Sequence, residues 1–248
     1  MSFAVTVLGS SAMFPTIDRA ASGYLFERDG RSIWMDAGAG TWRNLIGLVD
    51  YSDLDSVLLT HRHPDHTSDV FSSVHARLLG QPEPLPPIPL WAPAETIERL
   101  VAFYDKAVRD CFELREITEA DRIEIAGAQV SFVRMAHPAV TMGVRIQDQD
   151  GVLAYSADTG PGADLAALAS GAATFVCEAT FQDSDQLWEG HLSASQAGAI
   201  AAENEVEQLV LTHLPPARDY GLSLAEAQRS SGDSRVRLAS DGLRLEIG

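Results

Sequence analysis

His61-Arg62-His63-Pro64-Asp65-His66 brings three imidazoles and a carboxylate into six residues, in the pattern HxHxDH. Neutral imidazole and carboxylate are the ligands that Zn²⁺ and neighbouring divalent ions accept. Packing such groups together with no cation to answer their lone pairs would cost stability, so the spacing points to a metal site rather than a solvated histidine turn. Other residues extend the set. His137 follows the run Ser131–Ala136, His213 follows Leu209–Thr212, and Asp158 follows Leu153–Ala157 in a turn with Thr159, Gly160 and Pro161. Taken singly, each could cap a strand; beside HxHxDH they read as further ligands, because strand ends on one sheet edge converge. His75 lies inside an apolar helical pattern and reads as packing or surface. Gly38 and Gly40 lack the third glycine of a dinucleotide loop, since Arg43 stands in its place. Asp36, just before them, is expected to orient ligands from behind.

The elements that must position these groups follow from periodicity. Short β-rich runs predict strands at 3–8, 22–27, 32–36 and 56–60, the last feeding directly into His61. A helix is expected over 67–79, then a strand at 88–91 and a helix over 94–109 after the proline-rich loop 81–87. The order then repeats, with strands at 122–125, 129–136, 141–147 and 152–156, a helix at 163–169, a strand at 174–177, a helix at 194–204 and a strand at 208–212. The tail carries a helix near 224–230 and strands at 236–239 and 243–247. Two halves of strands followed by helices predict an α/β fold of two sheets packed face to face with helices outside, a four-layer αβ/βα sandwich. A single domain over 1–248 is expected, with pseudo-halves meeting near residue 120.

Composition narrows the function classes. The 248 residues carry a formal net charge of -17, with one lysine, Lys106, and scattered arginines. Such a balance works against long-range attraction to nucleic acid or anionic lipid, and no basic run offers a docking surface for a folded RNA. No stretch approaches the roughly 18 apolar residues of a spanning helix, and the N-terminus lacks a basic leader, so a cytoplasmic protein is expected. Cys111 and Cys177 form no CxxC pair and read as core residues.

HxHxDH after a strand, then His137, Asp158 in a Ser-Ala-Asp-Thr-Gly turn, and His213 after a strand, resemble the metallo-β-lactamase superfamily over the whole chain. Glu178-Ala179-Thr180 and His191-Leu192-Ser193 are similar to the HEAT and HST motifs of its ribonuclease Z branch. Cys177 stands where that branch has histidine, and Leu192 interrupts HST. The tRNA-gripping arm of ribonuclease Z has no counterpart, since the twenty residues between His137 and Asp158 are spent on two strands. Val7–Ser11, Ala21–Leu25, Ala154–Gly160, His191–Ser193 and Leu211–Pro216 resemble more closely the compact actinobacterial, atypical class II cyclic-nucleotide phosphodiesterases.

The resemblance implies two divalent ions, of which Zn²⁺ suits the histidine-rich set, while Mn²⁺ or Fe²⁺ would fit the same groups. His61, His63 and His137 would hold the first, Asp65, His66 and His213 the second, with Asp158 bridging. A metal-bridging hydroxide would then attack phosphorus in line. Asp65, His191 and Glu178 are the catalytic candidates, His191 as the acid for the leaving alkoxide with Glu178 keeping it protonated. His191 could alternatively serve the start of the helix that Ser193 is expected to cap. Ser10 is expected either to bond a substrate phosphate or to serve a plain turn. These residues point to hydrolysis of a small phosphodiester such as 3′,5′-cyclic AMP to the 5′-monophosphate. A ribonuclease Z-like tRNA 3′-processing endonuclease is the alternative enzyme, and a metal-binding sensor or scaffold without turnover the non-enzyme alternative. No membrane or nucleic-acid partner is expected, and a homodimer is the default assembly.

Overall fold

In the computed structural model, which describes residues 3–247, the chain opens with an antiparallel meander, β1 (Phe3–Gly9), β2 (Gly23–Arg28) and β3 (Arg31–Ala37). Met1, Ser2 and Gly248, part of the expected 1–248 domain, lie outside the described residues. After the short helix α1 (Thr41–Leu45) the connections become crossovers, and β4 (Ser56–Leu58) lies parallel to β3. Helices α2 (Pro64–Thr67) and α3 (Val70–Leu79) follow, then β5 (Ile88–Ala92), α4 (Ala94–Cys111) and β6 (Phe112–Glu116), with β4, β5 and β6 mutually parallel.

The second half repeats this plan. β7 (Arg122–Ile125), β8 (Ala128–Arg134), β9 (Met142–Gln147) and β10 (Val152–Tyr155) form an antiparallel meander. Helix α5 (Leu165–Ala169), β11 (Thr174–Glu178), α6 (Ala194–Glu203), β12 (Gln208–Thr212), α7 (Tyr220–Ser230) and β13 (Arg235–Leu238) then extend the sheet in parallel. The last strand, β14 (Arg244–Glu246), returns to pair antiparallel with β1. Among the described residues this gives two seven-stranded sheets, ordered 14-1-2-3-4-5-6 and 13-12-11-10-9-8-7. The expected seam near residue 120 falls between β6 and β7, but β14 crosses it, so the first sheet borrows a strand from the second half while the second sheet is built from that half alone.

Three cores correspond to the three interfaces of four layers. Between the sheets, alternate residues Val5, Val7, Phe26 and Met35 meet Val130, Phe132, Val144 and Leu153. Outside the first sheet, Trp34, Val57 and Leu90 pack on Val74, Leu100 and Val108; outside the second, Phe175, Leu209 and Leu211 pack on Leu168, Ala197 and Ala227. Cys111 and Cys177 are buried in these outer cores, as expected.

Several boundaries differ from those expected, each for a physical reason. The helix expected over 67–79 is two. The break falls at Asp69, whose backbone N–H leaves the helical ladder to bond the Ala37 carbonyl at 2.8 Å, while its carboxylate accepts from the backbone N–H groups of Gly40 and Trp42, both at 2.8 Å. Strand β6 was not anticipated because Glu113, Arg115 and Glu116 make it a charged, exposed edge, which masks the apolar alternation while protecting the edge from further pairing. Helix α4 runs on to Cys111, with non-helical backbone at Tyr104.

Candidate metal centre

Every ligand candidate leaves its element at the same edge of the sandwich. Strand β4 is followed by Leu59 and Thr60 and then His61, and Pro64 divides the motif that follows. A residue before proline is driven to extended backbone, and His63 lies at φ -67°, ψ 146°; proline itself suits the first helical position, so α2 begins at once. His61 and His63 therefore belong to the extended stretch, two residues apart, whereas Asp65 and His66 sit in the first turn of a helix. The two portions serve different clusters.

In the first cluster, His61 Nε2 lies 3.1 Å from His63 Nδ1, which is 3.2 Å from His137 Nε2. Asp158 Oδ2 stands 3.6 Å from His61 Nε2 and 3.9 Å from His137 Nε2. In the second, His66 Nε2 lies 3.2 Å from Asp158 Oδ1 and 3.9 Å from Asp65 Oδ2, while His213 Nε2 is 3.4 Å from Asp158 Oδ1 and 3.3 Å from Asp65 Oδ2. The donor atoms of each cluster all fall within 4.8 Å of one another, and Asp158 belongs to both, one oxygen to each. His61, His66, Asp158 and His213 are buried.

The hydrogen bonds behind the imidazoles decide which nitrogens face inward with lone pairs. Thr60 Oγ1 lies 3.0 and 2.9 Å from the two oxygens of Asp36 and gives its one proton to that carboxylate, so it can only accept from His61 Nδ1–H, 3.1 Å away. Asp36 also accepts directly from His66 Nδ1 at 2.7 Å, from the Thr60 N–H at 2.8 Å and from the Tyr155 hydroxyl at 2.9 Å. A second relay mirrors the first. Thr180 Oγ1 donates to Glu178 Oε2 at 2.9 Å and accepts from His213 Nδ1 at 3.1 Å. His137 Nδ1 donates to the Gly190 carbonyl at 3.0 Å. These partners put a proton on Nδ1 of all four rings and turn Nε2 inward.

Such an arrangement fits divalent cations. His66 Nε2 and Asp158 Oδ1 are buried yet make no hydrogen bond, which is costly unless something else satisfies them. Burial, and then the neighbouring imidazoles, lower the basicity of His61, keeping it a neutral ligand; burial does the same for His63 and His137. Burial would also lower His66, but Asp158, Asp36 and Asp65 outweigh it and favour positive charge at that point. Burial would raise Asp158 and Asp65, yet the facing imidazoles hold both carboxyls well below their ordinary range. His61, His63 and His137 with Asp158 could hold one ion, and Asp65, His66 and His213 with Asp158 a second.

Two further residues stand where chemistry would need them. His191 Nδ1 is 2.7 Å from Glu178 Oε1, and its ring stacks on His213 with centroids 5.4 Å apart at 22°. Burial would lower His191, but the charge and hydrogen bond of Glu178 prevail and raise it, so the imidazolium is favoured. Glu178 is fully buried at the end of β11 and also accepts from the Thr159 N–H at 2.7 Å. Ser193, two residues on, is the N-cap of α6 and completes a capping box with Gln196. The start of that helix is thus served by Ser193, leaving the His191 side chain to Glu178.

Other expectations resolve differently. Ser10 is fully buried; its hydroxyl donates to Asp241 at 3.2 Å and accepts from Arg19 at 3.0 Å, which is the turn role rather than that of an open phosphate donor. His75 is on the exposed side of α3, 3.4 Å from the Tyr104 hydroxyl. Cys177 faces the outer core, opposite to Glu178, so cysteine for histidine there is a packing exchange away from the centre; Leu192 is likewise core. Gly38 serves close approach, because a Cβ there would come within 2.1 Å of the Asp65 carbonyl oxygen. Thr60, Tyr155 and the Met13 N–H, which bonds Asp65 Oδ2 at 3.0 Å, were not foreseen. Only the position of Thr60 next to His61 carried a signal.

Residues 31–214 match the family described as "Beta-lactamase superfamily domain". The chain belongs to this superfamily. The superfamily member is 30% identical over 250 residues to the probable metallo-hydrolase YhfI of Bacillus subtilis, covering 98% of this chain and 99% of that protein. The crystal structure of YhfI superposes with a TM-score of 0.90 at 26% identity over 98% of each chain. An uncharacterized protein of Mycobacterium leprae is 35% identical over 90% of this chain and 82% of its own length. Ribonuclease Z of Mycolicibacterium paratuberculosis is 28% identical over 98% of both, which supports the ribonuclease Z-like branch within the superfamily. The chain is accordingly a metallo-hydrolase by family, and among the described residues no helix is long and apolar enough to cross a membrane.

Proposed function

We propose that this metallo-hydrolase is a dinuclear phosphodiesterase for small phosphodiesters, with 3′,5′-cyclic nucleotides such as cyclic AMP as the class that fits best. The observation carrying it is the His191–Glu178 pair set against His213. An alkoxide leaving phosphorus is poor and needs a proton, and a positioned acid contributes on the order of 10²–10⁴-fold. Divalent ions at the two clusters would supply Lewis-acid charge and activate water. Glu178 keeps the proton of His191 on the side of the imidazolium, and Nε2 of that ring is the atom free to give it up. Asp36 and Glu178, through Thr60 and Thr180, fix the ring orientations.

A small substrate is favoured by what lies between His137 and Asp158, the β9–β10 hairpin closed by a turn at 148–151, and by the net charge of -17. Similarity to ribonuclease Z supports the second reading, tRNA 3′ processing. A panel of cyclic nucleotides, precursor tRNA, a thioester and a lactam, assayed with metal content on one preparation, separates them. Cyclic-nucleotide hydrolysis to 5′-monophosphates is expected; intact cyclic nucleotides beside cleavage of another ester would overturn the proposal.

A further inference from the structure

Trp188 is half-exposed, in a protein whose other tryptophans are more deeply placed. It lies in the loop between β11 and α6 at the rim of the metal centre, its ring centroid 5.4 Å from that of His191 and 6.2 Å from that of His137. The ring is held there by a missing side chain. A Cβ on Gly190 would stand 2.4–2.9 Å from Cζ3, Cη2 and Cε3 of the indole, so the six-membered ring rests on the glycine, whose carbonyl in turn accepts from His137 Nδ1. Ala136, His137, Pro138, Trp188, Glu189 and Gly190 line a cleft of about 290 Å³, near the small end of ligand pockets. That lining holds no lysine or arginine, so it offers nothing to a second phosphate. It offers an aromatic surface to a flat, weakly polar group whose phosphodiester would point to His137, which lines the cleft and belongs to the first cluster.

We infer that Trp188 is the stacking platform for the heterocyclic base of the substrate, and so determines its class as a nucleotide. The inference rests on the proposed phosphodiesterase activity for its phosphate, but its test does not require turnover. Metal-loaded protein is titrated with adenosine 5′-monophosphate and, separately, with ribose 5-phosphate, by tryptophan fluorescence and by calorimetry. Base–aromatic stacking predicts that Trp188→Ala weakens adenosine 5′-monophosphate binding roughly 5- to 150-fold, leaves ribose 5-phosphate binding unchanged, and abolishes the nucleotide-dependent quench. Trp188→Phe should restore most of the affinity without the quench. Equal weakening of both probes would mean that Trp188 acts through His137 and Gly190, and would overturn the inference. So would unchanged nucleotide affinity in Trp188→Ala, or no saturable quench of the wild-type protein by millimolar nucleotide. If the stacking result holds while cyclic nucleotides stay intact, the activity assignment fails and the base site stands.

Discussion

Replacing Asp36 by Asn probes whether this buried carboxylate acts through the imidazoles. Asparagine suits the backbone, since residue 36 has φ 57°, a left-handed conformation that Asn and Asp tolerate and Ala does not. The amide has one acceptor oxygen where the carboxylate had two. The backbone N–H of Thr60, at 2.8 Å, cannot reverse its polarity, so the amide oxygen must face it. The amide NH₂ then points at His66 Nδ1 and the Tyr155 hydroxyl, formerly donors at 2.7 and 2.9 Å. Tyr155 can rotate its proton away, but His66 can accept only by moving its own proton to Nε2, the nitrogen that faces Asp158 Oδ1 at 3.2 Å. A metal must displace that proton. Loss of such an orienting partner typically costs about 10- to 100-fold in metal affinity, or ~1.4–2.7 kcal/mol. The metal-free protein should lose less, because the new Nε2–H can donate to Asp158 Oδ1, which otherwise has no hydrogen bond. Competition with a chromophoric chelator gives the affinity, and urea unfolding of apo protein gives the stability. Unchanged metal affinity with a large apo destabilisation would refute the tautomer reasoning and leave Asp36 a packing residue.

Four further outcomes are expected. His191→Ala should keep full metal content and lose about 10²–10⁴-fold in kcat; metal depletion on elemental analysis would instead make His191 a ligand. Asp158→Ala should empty both clusters, since one of its oxygens faces each, and retention of two ions would contradict that geometry. Thr180→Val, nearly isosteric, removes the hydroxyl between Glu178 and His213 and should lower metal affinity by roughly tenfold with little change in fold, as chelator competition and circular dichroism would show. The fourth concerns acid stability. Burial would raise the Asp148 carboxyl, but the Arg28 guanidinium, 2.7 Å away, holds it below the ordinary range, so its contribution is present above pH ~3.9 and fades as pH falls through the lower folded value. Asp148→Asn should be less stable at pH 7 by about 1–3 kcal/mol in urea unfolding, with the gap narrowing below that pH; a gap constant down to pH 3 would count against the ion pair.

Much of the layer plan could be read from periodicity, because strands buried on both faces announce themselves by continuous apolar runs and each half repeats the same order. Elements whose stability comes from elsewhere escaped notice. Strand β6 is charged because it is an edge, and α1 is five residues long, too short for a helical pattern. The break before α3 comes with the Asp69 N–H bonding the Ala37 carbonyl at the end of β3, a partner distant in sequence. Strand β14 pairs with β1 across almost the whole chain, a contact no local pattern records.

By itself, the sequence determined the chemistry available at the centre. Ligand types are a property of side chains, and HxHxDH with His137, Asp158 and His213 at strand ends names the donors whatever their exact placement. Tertiary structure brought them together and decided what state they are in. Pro64 could be seen to interrupt the motif, and the family resemblance implied the division, but spacing alone did not; in the fold the two portions do serve different clusters. Tautomers depend on partners distant in sequence, such as Asp36 behind His66 and Glu178 behind Thr180 and His213. The sequence leaves Ser10 between substrate and a turn, and Asp241, 231 positions away, claims its hydroxyl. Trp188 was an ordinary aromatic in a loop until Gly190 and the convergence of His137 and His191 set it at the rim. The division has one physical cause: which ligands a chain carries is written along it, while proton positions, orientation and access are set by long-range hydrogen bonds that exist only once the two sheets have packed.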